Sequence, residues 1–201
     1  MKWSRAVHHL EALAETCADR ARSFSPLQVT QLWAFGDILG SPLDLETVSV
    51  ALVVDLSVED VPWLGLPVGG QHWANSARLS QNPIIAIWRS AHAPIWNHYV
   101  DRPVLVWDSA TGVAEPTLVA LREGQGESIR PPAPTPDELR ARLDDELAVC
   151  LRSLRERTRS YDDKRWSPGK MEPVADALYR ASDGYLDILD ALAEIHPIVT
   201  D

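Results

Sequence analysis

The sequence predicts an α/β (α+β) protein, a small mixed sheet flanked by helices with a C-terminal antiparallel helical hairpin. Three features carry this: an amphipathic opening segment, short β-branched runs behind it, and two long segments of helical period after a Gly/Pro-rich stretch. In the opening segment, Trp3, Val7, Leu10, Leu13, Ala14, Cys17 and Ala21 recur three or four apart, with Arg5, Glu11, Glu15, Asp19 and Arg22 elsewhere on the wheel. Phe24-Ser25-Pro26 stops that helix. From Leu27 to Phe35 apolar and other residues alternate as in a strand, which ends at Gly36-Asp37. After the turn Gly40-Ser41-Pro42, Thr47 to Leu56 is β-branched and almost continuously apolar, the pattern of a strand buried on both faces.

Residues 61–103 hold Trp63, Trp73, Trp88 and Trp96 among Pro and Gly breakers, and short helices are expected near Gln71 to Leu79 and Pro83 to His92. Pro103 to Asp108 reads as another short strand, Val113 to Glu123 as a helix, and residues 124–134 as a linker. Thr135-Pro136-Asp137-Glu138 combines an N-cap, a proline at the first helical position and a capping-box Glu. A helix follows to about Tyr161, with Leu139, Leu143, Leu147, Cys150, Leu151, Leu154 and Thr158 on its apolar stripe. Ser167-Pro168-Gly169 breaks it before a last helix, Glu172 to Ile195. The expected organisation is an α/β domain over 1–123, a linker over 124–134 and the hairpin over 135–201 packed on the domain.

A chain of 201 residues, 45% hydrophobic and 24% charged, has the composition of a soluble globular protein and not of a fibrous or disordered one. Its net charge of −10 argues against non-specific attraction to nucleic acid or an anionic membrane. No apolar run approaches the ~20 residues of a membrane span, and His8, His9 and Glu11 interrupt any signal-peptide core, so a cytoplasmic location is expected. Cys17 and Cys150 sit on apolar helical positions with no ligand spacing, as buried reduced thiols. Eight Trp stand against two Phe.

The order helix, strand ending in Leu32-Trp33-Ala34-Phe35-Gly36-Asp37, turn, strand resembles the core of the nucleotidyltransferase fold, the group with the aminoglycoside nucleotidyltransferases and the MNT-type proteins. That resemblance implies a glycine turn approaching a triphosphate, then D-x-[DE] about a dozen residues on and a third carboxylate on a later strand. Together these hold Mg²⁺ for transfer of a nucleotide from an NTP. Gly36 matches the turn, but Asp37 stands where Ser is usual, and counting on from Gly36 reaches Val48, Ser49 and Val50. Asp44 and Glu46 have the D-x-E form nearer the turn, and Asp108 is available as the third carboxylate. A carboxylate at position 37 repels triphosphate. The expectation is therefore a degenerate, non-catalytic or weakly catalytic module that binds a nucleotide or a protein partner. One alternative is an active Mg²⁺-dependent transferase using Asp44, Glu46 and Asp108; another is an assembly protein with the hairpin as its interface, for instance in a homodimer. The whole chain also resembles an actinobacterial family of about this length with no assigned activity.

Two other segments carry candidate binding groups. In the Trp/His segment, His72, Arg78, Arg89, His92 and Trp96 join Gly36 and Asp37 as candidate ligand contacts, since aromatic, Arg and His groups stack on and hydrogen-bond a base or sugar. Core packing explains tryptophans at this spacing equally well. Residues 152–170 hold seven basic and three acidic residues, with Arg152, Arg155 and Arg159 on neighbouring turns, and Asp183, Asp187, Asp190 and Glu194 form an acidic stripe on the last helix. Pairing between these stripes, or a solvated face near a helix end, accounts for both.

Overall fold

The run Val48–Val54 forms β2, and of its seven residues only Ser49 is less than fully buried. A strand apolar on both sides must be covered on both sides. The computed structural model, which describes residues 1–23 and 26–195, shows a three-layer arrangement that does so. The sheet has the order β3 (Ile84–Ser90), β2, β1 (Val29–Phe35), β4 (Val104–Asp108), β5 (Gly112–Val113). β1 is antiparallel to both neighbours, while β2 and β3 are parallel.

Alternation along the strands divides the core in two. Leu32, Ala34, Val50 and Leu52 pack with α1 (Trp3–Ala21), α2 (Gly70–Ser76) and α3 (Glu115–Arg122). Phe35 and Ala51 pack on the other side with α4 (Pro136–Arg165) and α5 (Glu172–Ile195), which pair as a hairpin. The mixed α+β class with a C-terminal helix pair is thus as expected. Thr135 caps α4 as its sequence requires: its Oγ1 accepts from Glu138 N at 3.3 Å, and Glu138 Oε2 accepts from Thr135 N at 2.7 Å. Among the described residues no helix is long and apolar enough to cross a membrane.

The expected helix over Pro83 to His92 is instead β3. Ile84, Ile85 and Ile87 favour extended backbone, and parallel pairing with β2 supplies the hydrogen bonds a helix would have made internally. Trp88 on this strand packs edge to face on Trp73 of α2, ring centroids 5.7 Å apart, so two of the segment's tryptophans are core. Within 124–134, Gly126–Ile129 makes a 3₁₀ turn against the first core, where a Cβ on Gly126 would stand 2.8 Å from Leu39 Cα. α4 runs on to Arg165, past the expected end near Tyr161. Phe24 and Ser25, which the helix stop was expected to include, lie outside the described residues.

At Gly184, α5 meets the backbone of Trp63, and a Cβ there would stand far inside contact distance of the Trp63 carbonyl oxygen. Gly184→Ala is expected to cost about 1–3 kcal/mol by forcing α5 off the Trp63 backbone, measured as a lowered urea midpoint. Burial pushes the Cys17 thiol up to about 12 and the Cys150 thiol up to about 11. Both are reduced and buried. Unfolded thiols ionise near 9.0 while the native ones stay neutral, so this contribution to stability is complete below that value and declines as pH rises toward 11 to 12. Urea midpoints should fall from about pH 8 to about pH 10, and neither thiol should react with an aromatic disulfide reagent before unfolding.

Candidate functional site

Among the described residues no carboxylate cluster that could hold a metal stands at the glycine turn. Gly36, at φ +71°, follows β1 and opens a 3₁₀ turn, Gly36–Leu39, that leaves Asp37 exposed. Across the β1–β2 pair the nearest side chain is Ser49, 3.8 Å from where a Gly36 Cβ would lie. Asp44 and Glu46 are exposed in the connection into β2, on either side of buried Leu45, whose backbone N–H donates to Met1 O at 2.9 Å.

Asp108 lies elsewhere. β4 is antiparallel to β1 and aligns Asp108 with Gln31, five positions before Gly36. At about 3.3 Å per residue that is roughly 16 Å along the strand. Its carboxylate accepts from Gln31 Nε2 at 2.8 Å and from the N–H groups of Ala110 at 2.8 Å and Thr111 at 3.2 Å, closing the turn into β5. The Gln31 amide first, and then these turn N–H groups, hold the Asp108 carboxyl below its ordinary range. The expectation that Asp44, Glu46 and Asp108 converge is therefore corrected, because the antiparallel return of β4 carries Asp108 to the far end of the sheet. Among the described residues no three His, Cys, Asp or Glu stand together as a metal-holding group, and the residues present do not fit a Mg²⁺ pair.

The Trp/His segment is dispersed as well. His72 on α2 and Arg78 just after it are exposed on the α1 side of the sheet. Arg89, His92 and Trp96 stand at the other end, on β3 and in the loop beyond. Trp96 lines a separate groove of about 230 Å³ with Pro131 to Pro134. Arg89 and His92 line a cleft of about 410 Å³ between the loops that follow β2 and β3 and the middle of α4.

Arg89 belongs to the face of β3 that carries Ile87 toward the hairpin, and it is 4% exposed. Its Nη2 donates to Pro94 O at 3.2 Å and to Glu146 Oε1, while its guanidinium carbon lies 5.2 Å from the centroid of the Trp63 ring. Glu146, 5% exposed on α4, also receives Arg142 Nη2 at Oε1 and Asn97 Nδ2 at Oε2, the latter at 2.9 Å. Arg142 further donates to Trp96 O at 3.3 Å and Pro94 O at 2.9 Å. Burial lowers its pKa and Glu146 opposes that shift. Asn97 Oδ1 accepts from Tyr99 and Val100 N–H, so the loop that presents Pro94 and Trp96 is itself held.

Two guanidinium groups therefore share one buried carboxylate at the cleft, whose lining also includes the exposed Asp145. At the rim, Arg152 pairs with Glu59 at 3.0 Å and His92 with Asp55 at 2.8 Å. Behind the cleft, Asp187 Oδ2 accepts from Trp63 Nε1 at 2.6 Å and stands 2.9 Å from His98 Nε2, tying α5 to the same loops.

The sequence pattern did not single out Arg142, Glu146, Trp63 or Asp187 for this role. A signal was present in α4: Glu146 falls between Leu143 and Cys150 on the apolar stripe, where an uncompensated carboxylate is costly. Arg155 and Arg159 are exposed, and among the described residues no ion pair joins the basic stretch of α4 to the acidic stripe of α5. Glu146→Ala leaves the buried Arg89 and the half-buried Arg142 without their carboxylate and should cost about 3–5 kcal/mol by urea denaturation, against less than about 1 kcal/mol for exposed Arg152→Ala.

No curated protein and no solved structure matches the chain. The family described as "Domain of unknown function (DUF7711)" matches residues 1–194, nearly the whole sequence, and the chain belongs to that family.

Proposed function

We propose that this chain is a non-catalytic binding module that holds a small anionic ligand in the cleft at the carboxyl ends of β2 and β3. One observation carries this reading: two guanidinium groups, Arg89 and Arg142, line the cleft against a single buried carboxylate. Buried ion pairs are roughly neutral for stability compared with apolar packing of the same shape. A second guanidinium group set on one buried carboxylate at a cleft is then better accounted for by a ligand than by the fold. Its position agrees with the general tendency of open α/β sheets to bind ligands beyond the carboxyl ends of their strands.

The nucleotidyltransferase-like order of elements favours nucleotides among the candidates, and the surroundings of Gly36 favour a module without transfer activity. Its proposed setting is the cytoplasm, which suits two free buried thiols.

The test is a thermal-shift screen of the purified chain with nucleotides, sugar phosphates and carboxylates, beside an assay for Mg²⁺-dependent transfer of labelled NMP from each NTP. At least one anion should raise Tm for the wild type and not for Arg142→Gln, with no transfer of label. Robust transfer would overturn the non-catalytic reading; a screen without a stabilising anion, or one indifferent to Arg142, would remove the cleft.

A further inference from the structure

We infer that the ligand of this cleft is an organic phosphate monoester, its phosphate held between Arg89 and Arg142; the inference rests on the binding-module reading above and assigns the chemical class of its ligand. Every hydrogen bond that Arg89 makes among the described residues leaves from Nη2, and those of Arg142 leave from Nε and Nη2. Donors therefore remain on both side chains: Nε and Nη1 of Arg89, and Nη1 of Arg142. The two guanidinium groups come from different elements, a strand and a helix. A planar carboxylate fills a single guanidinium fork with its two oxygens, whereas a phosphate monoester offers three terminal oxygens in a tetrahedron and can take donors from both.

The surroundings set the size and charge of the ligand. Val58, Val61, Ala148 and Val149 also line the cleft and give an organic group an apolar wall. About 410 Å³ holds a phosphate with a compact body attached, at the small end of ligand sites. Asp145 and Glu146 share that lining, and Asp55 and Glu59 occupy the rim positions beside His92 and Arg152. A second or third phosphoryl group would lie among these carboxylates, so like-charge repulsion selects a single phosphate. The cleft is at the opposite end of the sheet from Gly36, because β2 is antiparallel to β1 and Val53, the partner of Arg89 on β2, pairs with Gln31.

The experiment is isothermal titration of the full chain at low salt with phenyl phosphate, inorganic phosphate, phenylacetate and phenyl diphosphate, repeated with the double variant Arg142→Gln, Glu146→Gln. That variant removes one charge of each sign and retains polar side chains of similar size. The expected result is phenyl phosphate binding about tenfold or more tighter than each other probe, as for added charge-assisted hydrogen bonds, with about a tenfold loss in the double variant. Inorganic phosphate as tight as phenyl phosphate would overturn the organic part of the inference, and phenyl diphosphate as tight would overturn the single phosphate. Arg142-dependent binding of phenylacetate at equal affinity would overturn the phosphate class while leaving the binding-module reading intact. If none of the four probes binds the wild type, the phosphate assignment falls, and the broader reading stands or falls on the anion screen. Should the double variant fail to fold, the ranking of the probes on the wild type decides.

Discussion

Glu146 is the point on which the two halves of the molecule meet. Its carboxylate sits on the sheet-facing side of α4 and receives Arg89 from β3, Arg142 from its own helix and Asn97 from the loop between β3 and β4. Through Arg89 the network reaches the Trp63 ring, and through Trp63 and Asp187 it reaches α5. Such a cluster adds little net stability, because desolvating three charges offsets most of what their attraction returns. What it supplies is position: a guanidinium donor set must meet its carboxylate in one register, whereas an apolar contact of the same area tolerates sliding.

That positional demand acts on a sheet whose coverage is already obligatory. β2 is apolar on both faces and has to lie between two helical layers, and Gly184 lets α5 of one of them sit against the backbone of the loop at Trp63. One of those layers, the hairpin, brings a buried carboxylate, Glu146, to Arg89 of the sheet. It does so where β2 and β3 end together, so the cleft is a consequence of covering the sheet with a long helix whose apolar stripe is interrupted by Glu146. Packing and the geometry of the cleft are in this sense the same constraint.

The order helix, strand, glycine turn, strand over the first half of the chain comes, among the described residues, without a group of metal-holding side chains. A metal centre requires carboxylates at one end of the sheet; here Asp44 and Glu46 flank the start of β2, and Asp108 closes a turn at the opposite end. The direction of β4 decides this. Asp108 lies at the close of an apolar run whichever way the strand runs, and only its antiparallel pairing to β1 carries it away from Gly36.

Much of the fold was legible in the residues. The period of α1, the two-faced burial of β2, the capping box of α4 and the extent of α5 follow from local pattern, because propensity and burial agree at those places. At β3 the Pro and Gly breakers point to a short helix while three isoleucines favour extended backbone, and parallel pairing with β2 decides for the strand. Of the site, Arg89 and His92 were legible as a chemically suited pair close in sequence. Arg142 and Glu146 pair within one helix, but the groups they meet beyond it lie 46 to 57 residues away, so only the place of Glu146 on an apolar stripe hinted at them. Residue pattern alone determined α1, the buried strand β2 and the two helices of the hairpin. The tertiary structure decided that two arginines and one glutamate share a cleft, because charge neutralisation at a buried site is a property of elements brought together and not of any one of them.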